Sequence, residues 1–342
     1  MNLKSTEHDL ADWKSRALDF ESELGKAVVG LQKAIRLITT AIFARGHVIL
    51  EGDVGVGKTT LLRAVARCMG GAYERIEGSI DLMPNDLIYY TYINRDGKPQ
   101  VDPGAILRHG ERLSTFFFNE VNRARPQVHA LLLRVMAERS ITAFNQEYRF
   151  PHLSVFADRN RVEKEETFEM PSAARDRFMM ELNIEIPPGR PERTHLIFNP
   201  RFHDVDQLLA EIRPGILDFE QLNSIATTIQ QRIGATQTLE RYALDLWEAT
   251  RNPALVGVRI DSVDMDKLIL AGASVRAMSM LLRAARVSAW LNDREAVIPE
   301  DIQAVFHETI AHRIFFHPSY EICREQLIGP LVKSILRSVA SP

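Results

Sequence analysis

What this sequence lacks narrows its function before any motif is considered. Only two cysteines, Cys68 and Cys323, occur in 342 residues. Their separation gives no zinc-ligand spacing, and two thiols make no disulfide framework. This points to a reducing, cytoplasmic setting, with Cys68, among apolar helical neighbours, read as a buried structural thiol. No apolar stretch approaches the ~20 residues needed to span a bilayer, so no direct membrane insertion is expected. The first residues, Met1 to His8, carry no apolar core and do not read as a signal peptide. Neither sign of charge dominates: 42 Lys+Arg face 45 Asp+Glu, for a net charge of −3. That balance leaves no bulk electrostatic footprint for nucleic acid, and no nucleic-acid partner is expected. Internal repeats and low-complexity segments are also missing.

What is present is an ordinary globular balance, 45% hydrophobic and 25% charged, in a chain long enough for two domains. Leu10, Trp13, Ala17, Phe20 and Leu24 recur at helical spacing and predict an amphipathic lead-in helix. A second helix follows from Leu31. The pattern then alternates. His47–Glu51 reads as a strand, Lys58–Met69 as a helix closed by Gly70-Gly71, and Ala72–Glu77 as a strand. Strands are also read at Leu113–Phe118, Leu153–Ala157 and Met179–Ile186, with a helix at Gln127–Glu138. This alternation predicts an α/β fold with a parallel sheet covered by helices on both faces. A proline-rich stretch, Pro187-Pro188-Gly189-Arg190-Pro191, marks the change to a smaller all-helical domain. After about residue 205 only helices are read. The expected division is a lead-in over 1–20, an α/β core over 21–195 and a helical domain over 196–342.

One motif carries clear chemistry. Gly52-Asp53-Val54-Gly55-Val56-Gly57-Lys58-Thr59-Thr60 matches G-x-x-x-x-G-K-[ST], runs directly out of a predicted strand and opens a helix. That context defines a phosphate-binding loop. The glycines let amides fold around an anion, the helix N-terminus faces it, and Lys58 reaches the β and γ phosphates while Thr59 ligates Mg²⁺. ATP and Mg²⁺ are the implied cofactors. The third strand, Ser114–Glu120, ends in Asn119-Glu120. Glu120 is placed to act as general base on water, although a plain strand-end carboxylate would look the same. At Asn119 an aspartate would be expected beside the metal. Asparagine keeps an oxygen there but loses the charge, which predicts weaker Mg²⁺ dependence and slower turnover.

Taken together, these residues resemble the MoxR-type AAA+ ATPases over about residues 25–315. Gly52–Thr60 corresponds to Walker A. Phe117–Pro126 (F-F-N-E-V-N-R-A-R-P) is similar to D-E-I-N-R-A-P-P, with Asn119 in the aspartate position. Phe156–Arg161 (F-A-D-R-N-R) stands where that family has A-T-Q-N-P, making Asn160 the sensor-1 residue. Pro171–Phe178 (P-S-A-A-R-D-R-F) resembles E-A-Q-L-D-R-F and puts Arg177 on the arginine finger. By itself Arg177 would pass for a surface arginine. Ala271–Arg286 resembles G-A-S-P-R-A-…-L-L-R-A-A-R and puts Arg276 at sensor 2. Leu31, Val275 and Arg161 depart from the usual Gln, Pro and Pro.

The resemblance implies an AAA+ core with a helical lid, a homo-oligomeric, hexameric ring, and water attack on the γ-phosphate oriented by Glu120 and Asn160. Lys58, Mg²⁺, Arg177 of a neighbour and Arg276 would neutralise charge. It also implies two hairpins, at Tyr90–Pro103 and Ile141–Phe150. Tyr90, Tyr92 and Phe144 would meet a substrate in the ring channel, or else pack the hairpins onto the core. The implied role is a chaperone-like factor that matures a client enzyme, methanol dehydrogenase being the family's namesake case, with a partner carrying a von Willebrand factor A domain. Two rivals stand beside it: a nucleotide-regulated scaffold with negligible hydrolysis because of Asn119, and a nucleic-acid motor.

Overall fold

The structure, a computed structural model, describes residues 3–160 and 168–342. Two compact units are present. The first runs up to Phe178 and includes Leu182–Ile225; the second comprises Met179–Glu181 and Ala226–Pro342.

The first unit opens with helices α1 (Leu3–Ala27) and α2 (Gln32–Phe43). Trp13, Ala17, Phe20 and Leu24 are buried along one stripe of α1, the helical period read from the sequence. Strand β1 (Val48–Glu51) leads through the glycine loop into α3 (Lys58–Met69), and β2 (Ala72–Glu77) follows. Next come α4 (Pro84–Ile88), β3 (Tyr89–Ile93), β4 (Pro99–Pro103), β5 (Leu113–Asn119) and α5 (Pro126–Glu138). Strands β6 (Ser140–Ala143), β7 (Gln146–Arg149) and β8 (Ser154–Arg159) precede α6 (Ser172–Arg175) and β9 (Met180–Asn183).

Five strands form the central sheet in the order β2-β5-β8-β1-β9. The β2/β5, β5/β8 and β1/β8 pairs are parallel. Every residue of β5 is buried, as expected of a parallel strand covered on both faces. Phe116, Phe118, Val128, Leu132, Val155 and Phe178 belong to one core cluster, which joins the sheet to α5. The sheet order sets β8 between β5 and β1. Consequently the carboxyl ends of all three strands lie side by side, which is where open α/β sheets place their ligands.

The remaining strands form two antiparallel hairpins, β3/β4 and β6/β7. Phe144 (φ 51°) and Asn145 (φ 60°) make the β6–β7 turn with both residues left-handed, the geometry that matches strand twist in a two-residue loop. Asparagine tolerates that region; phenylalanine is strained there. Phe144 is 55% exposed, and its ring stacks obliquely on Tyr89, centroids 5.1 Å apart. Tyr90 and Tyr92 are exposed too, and the Tyr90 hydroxyl accepts a 2.9 Å bond from Arg108. The three aromatics named from the sequence therefore do not enter the core.

The proline-rich stretch does more than separate domains. Pro191 lies in the first turn of α7 (Arg190–Phe198), where its missing N–H costs nothing. Helix α8 (Val205–Ala210) then packs back on the first unit: Arg63 Nη2 donates to Asp206 at 2.7 Å, and Arg67 Nε donates to the Ile212 carbonyl at 2.7 Å. Residues 196–225 thus sit with the first unit, not with the helical one.

Helix α9 (Leu222–Arg232) leads to the second unit, which holds α10 (Gln237–Arg251), α11 (Met265–Leu268), β10 (Ile269–Ala271), α12 (Val275–Leu291) and α13 (Pro299–Ile310). Strand β11 (Phe315–Phe316), α14 (Pro318–Glu321) and α15 (Arg324–Ser338) complete it. The antiparallel β10/β11 pair corrects the reading of helices alone after residue 205. Strands of two or three residues are too short to show an alternating pattern. The Ser274 hydroxyl caps α12 by accepting from Ala277 N at 3.0 Å.

Cys68 is buried and Cys323 exposed; burial pushes the Cys68 thiol up to about 12, as expected for an inert structural residue. Among the described residues, no helix is long and apolar enough to cross a membrane.

Candidate phosphate-binding site

The loop between β1 and α3 is shaped by what its glycines lack. A Cβ on Gly52 would lie 2.3 Å from the Ile184 carbonyl oxygen, so the chain passes there only without a side chain. Gly55 (φ 81°) and Gly57 (φ 90°) adopt left-handed backbone, freely available to glycine. Gly57 is the N-cap of α3, and no side chain caps the helix. The first-turn amides therefore remain available to an anion, in the direction the helix dipole favours. Asp53, Val54 and Gly55 are exposed at the loop tip.

Lys58, at the first turn of α3, is 6% exposed. Its ammonium donates to the Gly52 carbonyl at 2.6 Å, to Asn160 Oδ1 at 2.6 Å and to the Asp53 carbonyl at 3.2 Å. Asp158 Oδ2 lies 3.8 Å away. Asn160 in turn donates through Nδ2 to Glu120 Oε1 at 3.4 Å. The amide of Asn160 thus links the loop lysine to the strand-end glutamate, and three residues distant in sequence meet at one point. Arg123 Nη1 donates to the other Glu120 oxygen at 3.0 Å.

Glu120 holds an unusual backbone. Its φ of 51° is left-handed, uncommon for a residue with a side chain. Three contacts over-determine it. Its amide donates to Asp158 Oδ1 at 2.6 Å. Buried His129 bonds the next carbonyl, that of Val121, at 2.7 Å, and burial lowers the His129 pKa, so the ring is neutral and its Nε2–H donates. Just past the end of β2, Gly78 N donates to the Asn119 carbonyl at 2.8 Å. A Cβ at Gly78 would lie 2.1 Å from the Glu120 carbonyl oxygen. Gly78→Ala is therefore expected to cost about 1–3 kcal/mol by overpacking and to displace Glu120. A thermal melt checks the first effect and the hydrolysis rate the second, and wild-type values for both would show that the turn relaxes without consequence.

Comparison with known proteins accords with this geometry. The profile of the ATPase family associated with various cellular activities (AAA) matches residues 47–180, and that of the AAA lid domain matches residues 265–328. Protein MoxR of Methylorubrum extorquens is 59% identical over 97% of this chain and 97% of its own length. Protein MoxR of Paracoccus denitrificans is 52% identical over 98% of each. The chain belongs to the MoxR-type AAA+ ATPase family. Chaperone MoxR1 of Mycobacterium tuberculosis is more distant, 29% identical over 94% of this chain and 81% of its own. A crystal structure of an ATPase candidate from Cytophaga hutchinsonii superposes on the whole chain, and on 99% of its own, with a TM-score of 0.83 at 30% identity.

Within this MoxR-type frame the other candidate residues fall as follows. Thr59 and Thr60 lie half-buried in the first turn of α3, and Asn119 is buried at the end of β5. Arg177 follows α6, half-buried beside buried Phe178. Among the described residues its guanidinium makes no bond to Lys58, Glu120 or Asn160, and its Nε has no partner. Arg276 is exposed in the first turn of α12, in the second unit. Arg161, the departure from the family pattern after Asn160, lies outside the described residues.

For Mg²⁺, the donors at hand are oxygens only, from Thr59, Asn119, Glu120 and Asp158, which suits a hard cation. No group of three or more His, Cys, Asp or Glu among the described residues could hold a metal alone. The set therefore fits an ion that arrives with nucleotide phosphates. Sequence reasoning passed over Asp158, Gly78 and His129. The signal for Asp158 was present: a charged residue directly after the apolar run Val155-Phe156-Ala157.

Proposed function

We propose that this chain hydrolyses ATP with Glu120 as general base, and that it does so in a homo-oligomeric ring. The contact that carries the reading is Asn160, which accepts from Lys58 at 2.6 Å and donates to Glu120 at 3.4 Å. It sets a phosphate-binding cation and a carboxylate on either side of one amide, the spacing needed to hold a phosphate and orient the water that attacks it. The loop amides and the N-terminus of α3 would cradle the phosphates. Lys58 exchanges its Gly52 and Asp53 carbonyls for phosphate oxygens. Glu120 takes the proton of the attacking water, its left-handed backbone and its bond to Arg123 fixing its direction. Thr59 and Asn119 would hold Mg²⁺, which neutralises phosphate charge when bound. Arg177 serves the site of a neighbouring subunit, and Arg276 of the lid takes the sensor-2 role.

The name of the relative Chaperone MoxR1 supports a chaperone-like role; maturation of a client enzyme, with methanol dehydrogenase the first to test, is the finer reading proposed with it. A hexameric ring, a von Willebrand factor A domain partner and a cytoplasmic setting belong to the same reading. Steady-state phosphate release, measured beside ATP-dependent assembly, tests it. Release above a Glu120→Gln control is expected. Assembly on ATP with release no higher than that control would instead support a nucleotide-held scaffold, the reading that neutral Asn119 favours.

A further inference from the structure

Asn119 leaves β5 without the carboxylate that a phosphate-loop ATPase is expected to hold beside its metal, yet this end of the sheet is not short of one. Phe118 pairs with Ala157 in the parallel β5/β8 ladder, so Asn119 and Asp158 occupy the next rung. From the other side, Leu50 of β1 pairs with Asp158. Asp158 therefore sits between the strand that feeds the phosphate loop and the strand that leads into Glu120. It is 2% exposed. One oxygen accepts the Glu120 amide at 2.6 Å, and the other lies 3.8 Å from Lys58 Nζ.

A carboxylate this deep is costly unless it is paired and hydrogen-bonded. Burial pushes its pKa up, and the Glu120 amide and Lys58 pull it back down. Packing offers no reason for it, since Val155, Phe156 and Ala157 fill the preceding rungs with apolar groups. A buried ion pair is often no better for stability than an apolar replacement, so the reason for the charge is sought in the site.

We propose that Asp158 is the anionic positioning residue of this site, supplying from β8 the carboxylate that Asn119 lacks on β5. It fixes the Glu120 backbone, balances Lys58 and gives the metal side of the site its negative charge. This rests on the ATPase reading above.

The test uses the full chain, ADP, and Mn²⁺ as a spectroscopic stand-in for Mg²⁺. Asp158→Asn keeps an oxygen for the Glu120 amide and removes the charge. Its Mn²⁺ affinity in the presence of ADP, read by electron paramagnetic resonance, is expected to fall about 10–100-fold. Its ADP affinity in EDTA is expected to hold or tighten, because a negative charge beside the phosphates is gone. This opposite response separates positioning from fold support, which would weaken both. The double variant Asn119→Asp/Asp158→Asn returns the carboxylate to β5 and is expected to recover Mn²⁺ affinity to within about tenfold of wild type.

Unchanged Mn²⁺ affinity in Asp158→Asn, or parallel loss of both affinities, overturns the assignment. If Asp158→Asn loses its cooperative melt, the double variant decides alone: recovery supports the assignment and continued loss overturns it. ADP binding that Lys58→Ala abolishes, with Mn²⁺ indifferent to residue 158, overturns the Asp158 role and leaves the ATPase reading standing. Failure of the wild-type chain to bind ADP in either condition overturns both.

Discussion

Replacing Arg177 by alanine is expected to lower steady-state ATP hydrolysis by about 10³-fold or more, with nucleotide affinity little changed. An arginine that meets the γ-phosphate of a neighbouring subunit contributes mainly where charge develops in the transition state. The local structure suits that role. Phe178 is buried and anchors the segment, and the Arg177 Nε has no partner within the described chain. A mixing experiment distinguishes action in trans from local support. An Arg177→Ala subunit keeps Glu120, and a Glu120→Gln subunit keeps Arg177. In a head-to-tail ring of the two, about a quarter of the interfaces would pair an intact Glu120 with an intact Arg177. Activity should therefore reappear on mixing. A mixed ring as inactive as either parent, with both variants binding ATP and co-assembling, would exclude a role in trans.

Glu120→Gln should lower the rate of the chemical step by about 10²–10⁴-fold while ATP still binds. Glutamine is nearly isosteric and keeps one acceptor oxygen, enough for Arg123 at 3.0 Å, while the Oε1 contact with Asn160 at 3.4 Å is given up. It cannot take a proton from water. Single-turnover phosphate release separates this from a binding defect, and ATP should accumulate unhydrolysed on the variant. More than about a tenth of wild-type rate in single turnover would remove Glu120 from the role of base.

Much of the core was legible in the chain. Lys58–Met69 and Ala72–Glu77 appear with the bounds read from sequence, because glycines punctuate both ends of the helix and leave little freedom in where it stops. The β5 strand was read from its apolar run, and every one of its residues is buried. Local signals failed where the deciding contact was distant. Helix α7 was hidden in a proline-rich stretch that read as a domain boundary. Residues 196–225 join the first unit through Arg63 and Arg67, contacts that no periodicity announces. The β10/β11 pair was too short to leave a pattern.

The candidate site divides in the same way. The order of residues by itself determined the phosphate loop, since glycine spacing, the lysine and the strand–helix context are all local. It also determined that Glu120 ends a buried strand and that Asn119 lacks a charge. From this alone the metal side looked weakened. Only the tertiary structure decided what stands beside Asn119. The sheet order β2-β5-β8-β1-β9 brings a strand from some 40 residues further on into the gap between β5 and β1, and with it Asp158. Charge at a site is summed in space, through the low-dielectric interior, and not along the chain. A neutral residue on one strand and a buried carboxylate on the next can thus amount to the same field. Register, which depends on every strand pairing at once, is the quantity the linear sequence does not display.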